Sequence, residues 1–211
     1  MIFAAIGGVR GDFKSLELVL GELRDEGIQT IVNTGDSAVG GDQPDKAVRL
    51  LKEQGILSAQ GDRDRLLTRF LRKHSSLKNR LSETDLQAFQ HAYEHCGSAA
   101  LEYLRTLPTT LSLTIDGIGI AVCHGTLTSQ AERLTADSPE DLFRRQRELT
   151  PAPIIVCGNN NEPFTHQVEN TLFVSPGYLG TARDGLAHFA VVSTESDPWQ
   201  VDLRTLANDS R

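Results

Sequence analysis

The chain has 211 residues, of which 39% are hydrophobic and 23% charged, a composition typical of a folded protein with its own core. Its net charge of −7 argues against nonspecific binding to nucleic acid or to an acidic membrane surface. No apolar run approaches the roughly 18 residues that a membrane span requires. The first ten residues lack the features of a signal peptide and predict a strand instead.

The three cysteines indicate a reducing environment. Cys96, Cys123 and Cys157 form no C-x-x-C pattern, and an odd number cannot all pair. Cys123 and Cys157 each end an apolar run, where a free thiol behaves as a small buried hydrophobe. We therefore expect a cytoplasmic protein, and we favour buried thiols over a cysteine nucleophile.

The first 60 residues alternate short apolar runs with segments of helical periodicity. The runs predict strands at 2–6, 31–32 and 56–59, and the intervening segments predict helices that begin near Phe13 and at Pro44. This β-α-β-α-β order implies parallel strands joined by right-handed crossovers.

Polar residues follow each of these strands. The loops bring Gly8, Asp36 and Asp62 to one edge of the predicted sheet, where ligand sites of open α/β sheets lie. An Asp after a strand is also a common cap or turn former, so Asp36 alone does not establish a site.

Residues 66–107 have a wholly helical pattern. Ser82 precedes a helix start, and leucines recur at helical spacing towards residue 107. The segment is too short for a core of its own, so we interpret it as an insertion within a single domain that spans residues 1–211. Its aromatic residues and leucines are expected to serve packing rather than binding.

The second half of the chain is rich in predicted strands. A hairpin turns at Asp116-Gly117 between strands at 111–115 and 118–122, and the second strand leads to His124. A helix at 141–148 is followed by a strand at 153–156, which ends in the polar run 157–161. Further strands are predicted at 171–174, 187–192 and 199–203.

Five strand ends therefore carry polar loops, at residues 7–12, 35–36, 61–64, 123–125 and 158–161. Their order and spacing resemble the calcineurin-like metallophosphoesterases, particularly the small prokaryotic phosphodiesterase branch, over nearly the whole chain. Two later segments also resemble that branch, namely Ser175-Pro176-Gly177-Tyr178-Leu179-Gly180, which is similar to its Asn-Pro-Gly-Ser-hydrophobic-Gly, and Arg183-Asp184-Gly185.

The resemblance implies an α/β fold with a two-sheet β-sandwich flanked by helices. It also implies two divalent metals at the strand ends, bridged by an Asp that corresponds to Asp36. Two cations about 3.5–4 Å apart can hold a phosphoryl group and generate a hydroxide nucleophile near neutral pH. Such a pair needs carboxylate, amide and imidazole ligands.

Several motif positions depart from the family pattern. Gly8 and Arg10 stand where the family has Asp-x-His, which supplies two ligands to the first metal. Asn159 and Asn161 stand where its Gly-His-x-His motif has two imidazoles. Arg63 replaces the histidine thought to protonate the leaving group, and arginine does not release a proton at physiological pH.

Few metal ligands remain after these changes. Asp36 and His124 are kept and Asp62 is a plausible substitute, so we expect no resident metal, or at most one divalent ion on these three residues and Asn159. Three residues elsewhere are weighed as alternative ligands: Asp12, Asp42 and His166.

The two new arginines allow three interpretations. Arg10 and Arg63 could pair with Asp36 and Asp62 and so stand in for the metals. They could instead bind a phosphate, together with Asn159 and Asn161. They could also be solvated loop residues without a role.

These observations favour a degenerate phosphoesterase that is non-catalytic or binds an anion or phosphate. The alternative is a phosphodiesterase or phosphatase of reduced or altered mechanism that uses one metal or the arginines, with catalytic positions at Asp36, Asp62, Arg63 and His124. We expect a phosphate-containing small molecule or a protein as the partner. By fold-level analogy, the insertion would select it.

Overall fold

The computed structural model describes residues 1–180 and 185–207, which contain ten strands and seven helices. The strands are β1 (Ile2–Ile6), β2 (Ile31–Asn33), β3 (Leu57–Ser58), β4 (Thr110–Ile115), β5 (Ile118–Cys123), β6 (Ile154–Cys157), β7 (Phe164–Val168), β8 (Thr171–Ser175), β9 (Leu186–Ser193) and β10 (Gln200–Ala207). The helices are α1 (Phe13–Asp25), α2 (Pro44–Glu53), α3 (Asp62–Leu67), α4 (Phe70–Lys78), α5 (Glu83–His95), α6 (Ser98–Thr106) and α7 (Glu140–Glu148).

The strands form two five-stranded sheets. The first has the order β10-β9-β1-β2-β3, and the second has the order β4-β5-β6-β8-β7. The predicted parallel pairing of β1 with β2 and of β2 with β3 is confirmed. In the second sheet β5, β6 and β8 are also parallel. The loops after these parallel strands therefore leave each sheet at one edge.

Alternation along the strands divides the core into layers. Phe3 and Ala5 of β1 face the second sheet, whereas Ala4 and Ile6 face the layer that contains α1 and α2. The outer face of the second sheet is covered by α7 through the buried Phe143. The predicted α/β architecture, two packed sheets flanked by helices, is confirmed.

The predicted helical segment consists of α3 to α6, and its first helix begins at Asp62, four residues earlier than expected. Its buried aromatic residues Phe70 and Phe89 pack in one cluster with Ala38 and Val48 of the main body. The segment thus shares its core with the rest of the chain, and the packing role expected for its aromatic residues is confirmed.

Strand β7 was not predicted as an element. Only its first and last residues, Phe164 and Val168, are buried, so its apolar pattern is too sparse to indicate a strand. It lies at the edge of the second sheet and pairs only with β8 among the described strands. Arg183 and Asp184, which contribute to the family resemblance, lie outside the described residues.

No helix within residues 1–180 and 185–207 is both long enough and apolar enough to cross a membrane.

Candidate functional site

The loops that follow the parallel strands of the two sheets meet at His124. Its ring nitrogen Nδ1 lies 2.9 Å from the carbonyl oxygen of Thr34, which follows β2. As the donor in this hydrogen bond, Nδ1 leaves the lone pair of Nε2 free on the other side of the ring. The histidine is fully buried and links the second sheet to the first.

Two carboxylates face this lone pair. The Nε2 atom of His124 lies 3.4 Å from Oδ1 of Asp36 and 3.6 Å from Oδ1 of Asp62. One ligand atom of each of the three residues falls within 4.8 Å of the others, and no other such group of His, Cys, Asp or Glu occurs in the described part of the chain. Nε2 is buried and has no hydrogen-bond partner.

This arrangement fits one divalent cation. A metal-binding histidine usually donates its second ring N–H to a carbonyl or carboxylate, as His124 does to Thr34. Two carboxylates and an imidazole are suitable ligands for Mn²⁺ or Zn²⁺. The predicted set of Asp36, Asp62 and His124 is therefore brought together, although binding of a metal to it remains a prediction.

The electrostatic environment of Asp36, Asp62 and His124 favours the binding of an additional positive charge. Burial opposes ionisation of Asp36, but His124, Arg63 and Arg10 outweigh it and lower the pKa of the carboxyl group. Burial also disfavours protonation of His124, but Asp36 and Asp62 raise its pKa well above the usual value. The ring thus lies where the protein attracts a proton or a cation.

The backbone at the site is held in an uncommon conformation. Only five described residues other than glycine have a positive φ, and three of them belong to the site: Arg10 at 55°, Asp36 at 59° and Asn159 at 59°. Such conformations cost about 1 kcal/mol or more and often occur at functional sites. The other two lie in hairpin turns of the second sheet.

Asp64, to which the sequence analysis assigned no role, connects two of the loops. Its carboxylate accepts hydrogen bonds from the backbone N–H of Ser37 at 2.8 Å and of Gly61 at 3.1 Å. Burial and the negative charge of Asp36 raise the pKa of Asp64 to about 6. Because this side chain is inaccessible, its role is to position the loops that carry Asp36 and Asp62.

Replacing Asp64 with Ala is expected to lower the free energy of unfolding by about 2–4 kcal/mol, because two buried N–H groups lose their acceptor. Urea denaturation with a chelator present measures this loss without a contribution from bound cations. Asp62→Ala is the control, and we expect a change below about 1 kcal/mol because its side chain is 36% exposed. Equal losses in the two variants would contradict the role of Asp64.

An aromatic ring fills the space beside Gly8, the position at which the family resemblance implies a metal ligand. A Cβ atom added to Gly8 would lie 2.1 Å from Cδ1 of Tyr178, so the side chain that the family has here would overlap the ring. The guanidinium carbon of Arg10 lies 4.0 Å from the centre of the same ring. Tyr178 replaces the serine of the family branch, which is the one sequence signal that could have identified it.

Arg63 is oriented towards the helical insertion. Its Nη2 atom lies 3.0 Å from Oδ1 of Asp85 on α5, and its guanidinium carbon lies 5.0 Å from the centre of the Phe89 ring. Only its backbone N–H reaches Asp36, with a hydrogen bond of 3.0 Å to Oδ1. No pattern in the sequence identifies Asp85 as a partner of Arg63.

The interpretation of the arginines as direct partners of the site carboxylates is therefore corrected. Among the described residues neither Arg10 nor Arg63 forms a salt bridge with Asp36 or Asp62. Both guanidinium groups are still close enough to lower the pKa of Asp36. The Nε atom of each arginine is buried and has no hydrogen-bond partner within residues 1–180 and 185–207.

The three asparagines after β6 differ in environment. Asn159 is 6% exposed, and its amide oxygen accepts a hydrogen bond of 3.3 Å from the hydroxyl group of Tyr178. Asn161 has an exposed side chain, while its backbone carbonyl accepts from the N–H of Tyr178. Asn160 donates to the carbonyl oxygens of Leu134 and Gly158 and is structural.

The alternative ligands lie outside the group around His124. Asp12 caps α1 by accepting a hydrogen bond from the backbone N–H of Ser15, and Asp42 is exposed. His166 lies 3.0 Å from a carboxylate oxygen of Glu140 and stacks on the ring of Phe143.

The thiols are in environments that suppress reactivity. Cys96, Cys123 and Cys157 are all free and buried, and burial raises the pKa of the Cys96 and Cys157 thiols to about 12. Burial also raises the pKa of Cys123 well above its usual value. A thiolate nucleophile is therefore disfavoured, as the sequence predicted.

Comparisons with known proteins agree with this architecture. A profile described as the calcineurin-like phosphoesterase superfamily domain matches residues 1–197. An uncharacterised protein of Methanocaldococcus jannaschii is 23% identical over 202 residues, which cover 88% of this chain and 79% of its own.

Solved structures have the same fold at low sequence identity. A hypothetical protein of Pyrococcus horikoshii has a TM-score of 0.86 at 20% identity, covering 99% of this chain and 89% of that one. A metallophosphoesterase of Sphaerobacter thermophilus has a TM-score of 0.74 at 21% identity, covering 98% and 88% of the two chains. With a matching profile over nearly its whole length, the chain belongs to the calcineurin-like phosphoesterase superfamily.

Proposed function

We propose that this chain binds a phosphate ester at the sheet ends and does not turn it over as a two-metal phosphoesterase. One observation carries the proposal: the ring of Tyr178 fills the space beside Gly8, and the guanidinium group of Arg10 lies over that ring. Catalysis by a cation pair requires two adjacent ligand sets. The described residues offer only one, formed by Asp36, Asp62 and His124.

The arginines supply the anion-binding groups in this proposal. Arg10 and Arg63 both act electrostatically on Asp36 and on Asp85, so their positive charges lie in the same region. A buried donor without a partner is costly, and each of these arginines has one at Nε. Phosphoryl oxygens match the planar donor set of a guanidinium group and would satisfy these donors. Asn159 and Asn161 are proposed to contact the same ligand.

At most one divalent cation takes part. Asp36, Asp62 and His124 would hold it, and it would supply positive charge against a phosphoryl oxygen. Arg63 occupies the position of the family's proton donor and keeps its proton at all physiological pH values. The proposed protein therefore retains recognition of phosphate while it lacks general acid catalysis from this position.

A phosphoesterase with one cation is the second candidate. It is favoured by the Nε2 atom of His124, which is buried, lacks a hydrogen-bond partner and faces two carboxylates. In this version Arg10 and Arg63 hold the phosphoryl group, and Asp36 and His124 position the cation and a water molecule. The free cysteines favour a reducing compartment for either candidate, so we also propose a cytoplasmic location.

Metal content and phosphate binding test the proposal together. Elemental analysis after incubation with excess Mn²⁺ is expected to find no more than one ion per chain. Calorimetric titration with inorganic phosphate is expected to show binding that weakens about tenfold in Arg10→Gln. Arg24→Gln on the exposed surface of α1 is the matched control and should bind as the unaltered chain does.

The outcomes separate the two candidates. Two bound ions per chain, or no binding of phosphate, would overturn the proposal. Steady hydrolysis of bis(p-nitrophenyl) phosphate with one bound ion would replace it with the second candidate. Phosphate binding without hydrolysis supports the first.

A further inference from the structure

A basic cleft adjoins the site at Asp62. Its volume is about 460 Å³, and it lies between α3 and α4 on one side and the start of β4 and the loop after β5 on the other. Five threonine or serine side chains line the cleft. Four cationic side chains also line it, namely Arg65, Arg69, Lys73 and Arg80.

The four cationic side chains of this cleft have no ionic partner among the described residues, and Asp62 is the one carboxylate in its described lining. Within residues 1–180 and 185–207, none of the four cationic side chains forms a salt bridge, although several other arginines of the chain do. Arg65 makes one neutral hydrogen bond, to the amide oxygen of Gln130. Arg69 and Lys73 stand four residues apart at the start of α4, a spacing at which like charges repel.

Such a concentration of cations is unusual for a chain with a net charge of −7. Repulsion among these groups opposes folding, and a bound polyanion would relieve it. Arginine, lysine and hydroxyl side chains together are the groups that proteins use to bind phosphate oxygens.

The cleft is continuous with the candidate site through Asp62. This residue lines the cleft, and its carboxylate belongs to the group around His124. A phosphate ester that Arg10 and Arg63 bind beside this group would therefore have its further phosphates near the cleft.

We infer that the ligand is an oligophosphate, whose terminal phosphate binds at the site and whose following phosphates lie against Arg65, Arg69, Lys73 and Arg80. This inference rests on the proposed function and adds the class of ligand to it. Inorganic oligophosphates and nucleoside polyphosphates both contain such a chain of phosphates, so either could supply the ligand.

Nucleic acid is disfavoured as the occupant. Proteins bind single strands by stacking bases on aromatic side chains, and the described lining of this cleft contains none. The negative charge of the whole chain also opposes the approach of a long polyanion.

Binding of tripolyphosphate compared with that of inorganic phosphate tests the inference. Calorimetry is done with chelator and without divalent ions, because tripolyphosphate itself binds them. The unaltered chain is expected to bind tripolyphosphate about tenfold or more tightly than phosphate, and Arg69→Gln/Lys73→Gln is expected to remove this difference.

The matched control is Lys14→Gln/Arg24→Gln, which removes the same charge from the exposed surface of α1. Its affinity for tripolyphosphate should stay within about twofold of that of the unaltered chain, since charges beyond a Debye length are screened. An equal loss in both double variants would overturn the cleft as the binding surface.

Other outcomes distinguish this inference from the function on which it rests. Equal affinities for phosphate and tripolyphosphate would overturn the oligophosphate and leave the proposed function intact. Loss of tripolyphosphate binding in Arg69→Gln/Lys73→Gln but not in Arg10→Gln would support the cleft and overturn the proposed site. Binding of neither compound would overturn both.

The source of the phosphates follows from two further probes. Tighter binding of ATP than of tripolyphosphate supports a nucleoside polyphosphate, and equal binding supports recognition of the phosphates alone. Tighter binding of a single-stranded oligonucleotide, with the same loss in Arg69→Gln/Lys73→Gln, would overturn the oligophosphate in favour of nucleic acid.

Discussion

Replacement of Gly8 by Asp is expected to lower the free energy of unfolding by about 3 kcal/mol. The new side chain would overlap the Tyr178 ring, which is only 2% exposed and has little room to move. Overpacking of this kind costs about 1–3 kcal/mol, and the φ of +57° at Gly8 adds about 1 kcal/mol for a residue with a side chain. Urea denaturation monitored by circular dichroism measures the loss.

A matched glycine separates the two contributions. Gly27 has a φ of +75°, and a Cβ atom added there meets no atom within 4 Å. Gly27→Asp should therefore lose only the conformational part, about 1 kcal/mol. If the Gly8 and Gly27 variants lose equal stability, contact with Tyr178 does not contribute.

A double-mutant cycle tests whether Gly8 and Tyr178 depend on each other. Tyr178→Ser restores the residue of the family branch and should itself destabilise the chain, because a buried ring is lost. Gly8→Asp in that background should cost at least about 1.5 kcal/mol less than it does alone. If the two losses of unfolding free energy simply add in the double variant, the Tyr178 ring is not the reason that position 8 requires glycine.

Restoring the two family residues at positions 8 and 10 is not expected to restore catalytic activity. Gly8→Asp/Arg10→His is expected to remain inactive towards bis(p-nitrophenyl) phosphate, because Arg63, Asn159 and Asn161 still replace family residues. Robust hydrolysis by that double variant would count against the proposed function.

Replacement of Asp36 by Asn is expected to weaken binding of Mn²⁺ about 100-fold or more. The change removes one of the two negative charges that face His124, and the amide oxygen can still accept the hydrogen bond from the Arg63 N–H. Titration of Mn²⁺ followed by electron paramagnetic resonance measures the affinity, and circular dichroism confirms that the variant is folded.

Asp42→Asn is the control for this prediction. Asp42 belongs to the same loop after β2, is exposed and lies outside the group around His124, so its variant should bind Mn²⁺ with unchanged affinity. Equal weakening in both variants would indicate a nonspecific effect of charge. Unchanged affinity for Mn²⁺ in Asp36→Asn would show that the ion does not bind at Asp36, Asp62 and His124.

The topology and the convergence of the loops follow from the sequence for a simple reason. Parallel strands place their carboxyl ends together, so alternating apolar and helical segments were enough to bring Asp36 towards Asp62. The meeting with His124 came from the family resemblance, because periodicity does not reveal how the second sheet packs on the first. Strand β7 was missed because an edge strand with two buried residues has little apolar pattern.

The directions of the arginine side chains could not be predicted. One of three interpretations paired Arg10 and Arg63 with Asp36 and Asp62 in place of the metals, whereas the structure offers them an aromatic ring and Asp85 as partners. Both partners lie far away in sequence, at positions where spacing gives no information. Tyr178 had a visible signal, since it replaces the serine of a motif that differs from the family branch at one other position, Ser175.

Arg63 also makes the charge at the site depend on a helix outside it. Its backbone N–H donates to Asp36 while its guanidinium group pairs with Asp85 of α5, so one residue connects the carboxylate at the site to α5. A ligand that draws the guanidinium group away must compete with Asp85, and by reciprocity whatever fixes α5 alters the affinity for that ligand.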